Sequence, residues 1–168
     1  MQVVIDTVCI HHLTRPSKPS YKLKNEATFT KLKTPLDKPL RLRKLSLAVD
    51  IEGGLVDEWK RTCGEEYIEA LIIKWADLDG IDPVDPAPSI GYPHTRALKQ
   101  FGFSGTVDKL ILRIALVTND KNVVSDDSDF WDPAQPTKRG SPSACVAQYC
   151  NNNLGITIML LSTLLRCF

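Results

Sequence analysis

The chain has 168 residues, 43% hydrophobic and 24% charged, which suits one compact domain with its own core, spanning 1–168, and excludes a disordered or fibrous protein. Twenty-one basic against 20 acidic residues select no partner by global charge. Five cysteines without Cys-x-x-Cys spacing, no charged start followed by an apolar run, and a longest apolar stretch (Ile156 to Leu165) well short of the ~20 residues of a membrane span point to a reduced, cytoplasmic protein that does not enter a bilayer.

The opening Gln2-Val3-Val4-Ile5-Asp6 is a short β-branched run ending at a carboxylate, the pattern of a buried parallel strand with a polar carboxyl end. Residues 15–44 then hold ten Lys or Arg against only Glu26 and Asp37, interrupted by Pro16, Pro19, Pro35 and Pro39. They read as an extended basic arm, a loop or a hairpin inserted after the first strand. Leu45, Leu47 and Val49 alternate as in a half-buried strand, Gly53-Gly54 supplies a tight turn, and Leu55 to Arg61 is expected to come back out as the other arm of a hairpin. Thr62 with Glu65 has the form of a capping box, and Tyr67, Ile68, Leu71, Trp75 and Leu78 recur at helical spacing, predicting a helix over 64–78. Four prolines (Pro83, Pro86, Pro88, Pro93) make 79–93 read as a surface loop.

A short helix is expected over 95–101, ended by Gly102. Val107, Leu110, Ile111, Ile114 and Ala115 mark one face of a helix starting near Ser104 or Thr106, with Asp108 in its first turn. Asn122 to Ser125 reads as a buried strand that ends in Asp126, Asp127 and Asp129. Residues 143–149 are expected to be helical before a break at Asn151-Asn152-Asn153, and 155–159 form a last strand. Strands alternating with helices indicate an α/β fold with a largely parallel sheet, whose ligands gather at the strands' carboxyl ends.

Such a sheet would bring Asp6, Asp108 and Asp127 to one edge without a neighbouring cation. Like charges that close are costly unless a counter-ion is supplied, and Mg²⁺ or Mn²⁺ prefers carboxylate oxygen. His11, His12 and His94 are not spaced as a zinc set. Each acid also has a plainer role: Asp6 as a helix cap, Asp108 as a complement to a helix dipole, and 126–129 as a solvated turn. Their joint occurrence favours a metal site. Trp59, Trp75 and Trp131 read as packing residues.

Four segments carry a likeness to a known family: Val4-Ile5-Asp6-Thr7, Gly105-Thr106-Val107-Asp108, Val123-Val124-Ser125-Asp126-Asp127-Ser128-Asp129-Phe130 and Gly155-Ile156-Thr157-Ile158. In order and spacing they resemble the PIN-like nucleases. The resemblance implies a three-layer α/β/α sandwich around a mostly parallel sheet, and a Mg²⁺- or Mn²⁺-dependent endoribonuclease whose carboxylates hold one or two ions. Carried over residue by residue, Asp6, Asp108 and Asp127 are ligands. Asp129 is a fourth ligand or an orienter of metal-bound water, and Ser125 hydrogen-bonds a carboxylate or water. The family's second acid falls to Glu58, because Val56-Asp57-Glu58-Trp59 follows the Gly53-Gly54 turn and could begin the helix that carries it; Asp57, Glu52 and Glu65 compete, since the basic insertion and a hairpin around 45–56 depart from the family's pattern.

The insertion is read as an RNA-binding arm using Lys22, Lys24, Lys31, Lys33, Arg41 and Arg43, with Tyr21 and Phe29 able to stack on unpaired bases. The plainer alternative is a solubilising loop. DNA is a second substrate choice, and an inhibitory protein partner of the toxin–antitoxin kind and a homodimer both accord with the resemblance. Two other readings stand beside it. One is a catalytically inactive PIN-like module that binds nucleic acid or joins a complex. The other is a Mg²⁺-dependent phosphatase, which Val8 disfavours by standing where that chemistry needs a second aspartate.

Overall fold

The computed structural model describes residues 1–14, 33–131 and 145–168. Among these residues five strands, β1 (Gln2–Ile5), β2 (Ser46–Asp50), β3 (Ile81–Val84), β4 (Asn122–Val124) and β5 (Thr157–Met159), form one sheet in the order β3-β2-β1-β4-β5. Every pairing is parallel, with Val3 opposite both Leu47 and Asn122. Val3, Val4, Ile5, Val123 and Val124 are fully buried, as two-sided cover of a parallel sheet requires. Eight helices are described: α1 (Thr7–Thr14), α2 (Asp37–Arg41), α3 (Gly54–Cys63), α4 (Glu65–Asp77), α5 (Tyr92–Gln100), α6 (Thr106–Val117), α7 (Cys145–Leu154) and α8 (Leu161–Arg166). The architecture is α/β and consistent with a three-layer sandwich. Among the described residues, no helix is long and apolar enough to cross a membrane, and Cys9, Cys150 and Cys167 are free thiols.

Four expectations are corrected here. Leu55 to Arg61 does not return as a hairpin arm but forms most of α3, the helix that Val56-Asp57-Glu58-Trp59 is expected to begin. Gly53 turns the chain at φ 81°, a left-handed conformation that glycine tolerates, and the Asp50 carboxylate then starts the helix, accepting the Gly54 and Leu55 N–H groups at 2.7 and 2.8 Å. This ties two otherwise unpaired amides and places negative charge at the positive helix end. Asp50→Ala is expected to cost about 1–3 kcal/mol, measured as a lower urea midpoint at unchanged m-value.

The segment 79–93 is not all loop, because 81–84 form the edge strand β3 despite Pro83. Leu47 N–H donates to Gly80 and Ile51 N–H to Val84, so by strand parity the amide absent from Pro83 would have pointed away from β2. Proline is tolerated at such a position. The Asn151–Asn153 run does not break its helix, which continues to Leu154. The capping box at Thr62 does not form either: Gly64 separates α3 from α4 and no side chain caps the latter, while the Thr62 hydroxyl donates to Glu58 at 3.3 Å.

Within the basic stretch, residues 37–41 form the short helix α2. The Asp37 carboxylate holds it to α4 by accepting from Lys74 and from the Trp75 indole. Lys22, Lys24 and Lys31, with Tyr21 and Phe29, lie outside the described residues.

Candidate metal centre

The chain leaves β1 for β2 and β3 on one side, then returns to β4 and β5 on the other. The carboxyl ends of β1 and β4 therefore flank the point where strand order reverses, which is where open parallel sheets form a crevice. Asp6 directly follows β1, and its amide donates to Val124 of β4 at 2.9 Å. Ser125, directly after β4, is fully buried. Its hydroxyl donates to Asp6 Oδ2 at 2.6 Å and accepts the Asp127 amide at 3.0 Å, so one serine fixes the first carboxylate and the turn that carries the second. Asp127 Oδ1 accepts the Asp129 amide at 3.0 Å, which folds 127–129 into a tight acidic turn.

The third element is the start of α6. Asp108 lies in its first turn, folded back over Gly105: a Cβ at position 105 would fall 2.0 Å from Asp108 Oδ2, so glycine gives the carboxyl its room. Among the described residues, no hydrogen bond or ion pair reaches this carboxyl. Burial, and then the charges of Asp6, Asp129 and Asp127, push Asp108 up to about 6, with Lys109 opposing. Asp6 is likewise raised to about 6, chiefly by burial and further by Asp127, while the Ser125 hydrogen bond lowers it. Asp6 and Asp108 are thus poorly solvated and both under the charge of Asp127, while Asp129, which also acts on Asp108, is itself exposed. No Lys or Arg among the described residues forms an ion pair with any of them. The N-termini of α1 and α6 face this edge, and their dipoles partly offset the negative charge.

Glu58 does not join this group. It sits on α3, engaged by Arg61 and Thr62, while Asp57, Glu52 and Glu65 are exposed. Asp126 is occupied elsewhere, accepting the Leu161 amide at 3.1 Å and facing His12 Nδ1 at 3.1 Å. Arg43 lies before β2, at the opposite sheet edge from Asp6, paired with Asp79. Arg41 ends α2, and Lys33 is exposed.

Two residues of this edge escaped sequence reasoning. Asp50 ends β2 as Asp6 ends β1; Leu47-Ala48-Val49-Asp50 repeats the form of Val3-Val4-Ile5-Asp6, and that repetition was the available signal. Thr7 stands in the Val4-Ile5-Asp6-Thr7 segment without an expected role: its hydroxyl is buried beside Asp6 with no hydrogen-bond partner among the described residues, and a buried polar group in that position calls for a ligand or water.

The donor set suits a hard divalent cation: carboxylate oxygens, an orphaned hydroxyl and no competing base. As placed, no three His, Cys, Asp or Glu side chains among the described residues converge closely enough to hold an ion together. The sequence matches no protein-family model, and comparison with curated proteins and with solved structures finds no similar chain.

Proposed function

We propose that the protein is a Mg²⁺- or Mn²⁺-dependent endoribonuclease of the PIN-like kind. The reading is carried by one observation: at the strand-order reversal two poorly solvated carboxylates, Asp6 and Asp108, lie under the negative charge of Asp127, and Asp108 also under that of Asp129, with none of the four in an ion pair among the described residues. A fold keeps such an arrangement, against its own stability, where a cation or a charged transition state repays it. Asp6, Asp108 and Asp127 would hold the ion, with Asp129 at the open side of the turn. When bound, a divalent ion polarises the scissile phosphate, acidifies water and steadies the leaving oxygen. Ser125 keeps Asp6 ionisable by donating to it and fixes residue 127. Asp129 can take a proton from water at the open side, and the Thr7 hydroxyl is free to donate to a phosphate oxygen or water.

The test is cleavage of single-stranded RNA, and of DNA of the same sequence, with Mg²⁺ or Mn²⁺ and an EDTA control. Wild type is expected to cut RNA only with metal, and Asp108→Asn to lose at least about 10²-fold in rate. Cleavage indifferent to both chelator and substitution overturns the reading. The open spacing of the acids favours a second reading, a binding module that has kept the acids without the chemistry. Thermal melting separates the two: a metal enzyme gains Mn²⁺-dependent stability that Asp127→Asn removes, and a module gains none.

A further inference from the structure

The end of the sheet away from the carboxylates carries a group of basic side chains gathered around one opening. α2 runs into β2 and α4 into β3, so both helices approach the strands' amino ends, whereas Asp6, Asp50 and Ser125 stand at the carboxyl ends. Leu40 of α2 is buried and lies against the turn before β3, where a Cβ at position 80 would fall 2.8 Å from its Cδ2. Glycine at 80 gives the short helix its seat. Between α2, the residues before it and α4 opens a cavity of about 470 Å³, with Lys33, Lys38, Arg41 and Lys74 on its wall.

The same wall holds one acid, Asp37, and that acid is already engaged. It accepts the Thr34 amide at 3.0 Å, the Thr34 hydroxyl at 2.9 Å, the Trp75 indole at 3.4 Å and the Lys74 ammonium. Burial acts to raise its carboxyl, but the donations from Lys74 and Thr34 outweigh burial and hold it below the usual carboxylate value. Lys33, Lys38 and Arg41 differ. All three are exposed, and among the described residues none of them forms an ion pair. Lys38 and Arg41 lie three residues apart on α2 and share a face of it, while the turn closed by Thr34 and Asp37 brings Lys33 to the same cavity. Cations around one opening repel one another, and an anion placed among them is attracted by all of them.

The chemistry of the wall selects the anion. A guanidinium offers a planar fork that matches phosphate oxygens, and an ammonium adds a mobile point charge. The volume lies within the ~300–1,000 Å³ of small-ligand pockets. Among the described residues no aromatic side chain lines it, so a nucleobase finds no ring to stack on. We propose that Lys33, Lys38 and Arg41, with Lys74 behind them, bind a chain of linked phosphates, such as inorganic triphosphate or the triphosphate of a nucleotide, at the end of the sheet opposite the carboxylate edge. Cations converging on one cavity match phosphates joined directly to one another better than those of a nucleic-acid strand, which sugars hold apart. The site goes beyond the nuclease reading and does not depend on it.

The test is isothermal titration calorimetry of the whole protein with sodium triphosphate, with ATP and with a short single-stranded RNA lacking a terminal phosphate, each in buffer free of divalent metal. Triphosphate and ATP are expected to bind with similar affinity and the RNA more weakly. Arg41→Gln is expected to weaken triphosphate binding about tenfold, and Lys38→Gln combined with Arg41→Gln about a hundredfold. Arg41→Lys keeps the charge and loses the fork, so it is expected to fall between wild type and Arg41→Gln. Arg96→Gln with Lys99→Gln removes two exposed cations that do not line the cavity and is expected to bind triphosphate as wild type does. Circular dichroism confirms that each variant is folded, which exposed positions favour. Wild type that does not bind triphosphate overturns the site, and so does a Lys38 and Arg41 double variant that binds it unchanged. Equal weakening by the Arg96 and Lys99 pair means diffuse charge attraction and overturns it too. RNA that binds through Lys38 and Arg41 more tightly than triphosphate assigns these cations to a strand instead.

Discussion

Replacing Asp6 with asparagine is expected to reduce metal-dependent RNA cleavage by at least about 10²-fold while leaving the protein folded. Asp6 is the carboxylate at the centre of the edge: 3% exposed, bound to the Ser125 hydroxyl at 2.6 Å and under the charge of Asp127. Asparagine keeps an oxygen for Ser125 and removes the negative charge on which a divalent ion depends. Ser125→Ala probes the same unit more gently. It leaves the charge but removes the donor that steadies Asp6 and the acceptor of the Asp127 amide, a class of change that costs roughly 10- to 100-fold. A gel or fluorescence cleavage assay over a Mn²⁺ titration checks both. The expected order is wild type, then Ser125→Ala, then Asp6→Asn. An Asp6→Asn variant of wild-type rate removes the acidic edge from the chemistry.

The same substitution is expected to raise stability when no metal is present. Asp6 has its carboxyl at about 6 in the fold against about 3.9 unfolded. Between those two values the native state binds more protons than the unfolded state, so stability falls as pH rises through the window, and above about 6 the whole cost is carried. For Asp6 that cost is ~3 kcal/mol. Asp108 adds a cost of the same sign, reduced because its carboxyl is partly solvated. In EDTA at neutral pH, Asp6→Asn is therefore expected to melt above wild type and to flatten the profile between pH 4 and 6. With Mn²⁺ the order reverses, since only wild type has a full set of charges for the ion to stabilise. Urea melts across that pH range, with and without Mn²⁺, measure both halves. An Asp6→Asn variant less stable than wild type in EDTA at pH 7 would mean that the Asp6 charge supports the fold. A side chain whose removal helps folding and stops catalysis is the signature of a site held against stability for function.

The parts of this fold that were legible in the sequence are those where a single periodicity operates. β1, β4 and α6 follow from buried β-branched runs and an unbroken apolar stripe, and Asp6, Asp108, Asp127 and Ser125 were readable because they end or begin such elements. The departures have local causes. The start of α3 reads two ways, as a hairpin arm from Leu55 and as a helix from Val56, because Leu55 and Trp59 sit where alternation and helical spacing overlap, and the Asp50 cap that decides the matter is a contact across four residues. β3 reads as a loop in the sequence because proline normally disrupts strands, and only pairing with β2 reveals that Pro83 faces outward. The Asn151–Asn153 run has low helix propensity, yet Cys150 is buried and tertiary packing prevails over propensity. Glu58 was chosen by order along a helix whose neighbours, Arg61 and Thr62, turn its carboxylate to other partners. Asp50, the buried acid of that region, was concealed by the hairpin expectation.

Pro83 also bears on how copies of the chain can meet. An edge strand with a continuous row of outward amides is a template on which another chain can extend the sheet, the first step of domain exchange and of fibril growth. On β3 that row is broken at its middle, and the facing side of β2 is already paired. Among the described strands this leaves β5, three residues long, as the place where an incoming strand would find an unbroken ladder. Aggregation through the sheet is thereby confined to its shortest margin, and substituting Pro83 with a hydrogen-bonding residue would open the longer one.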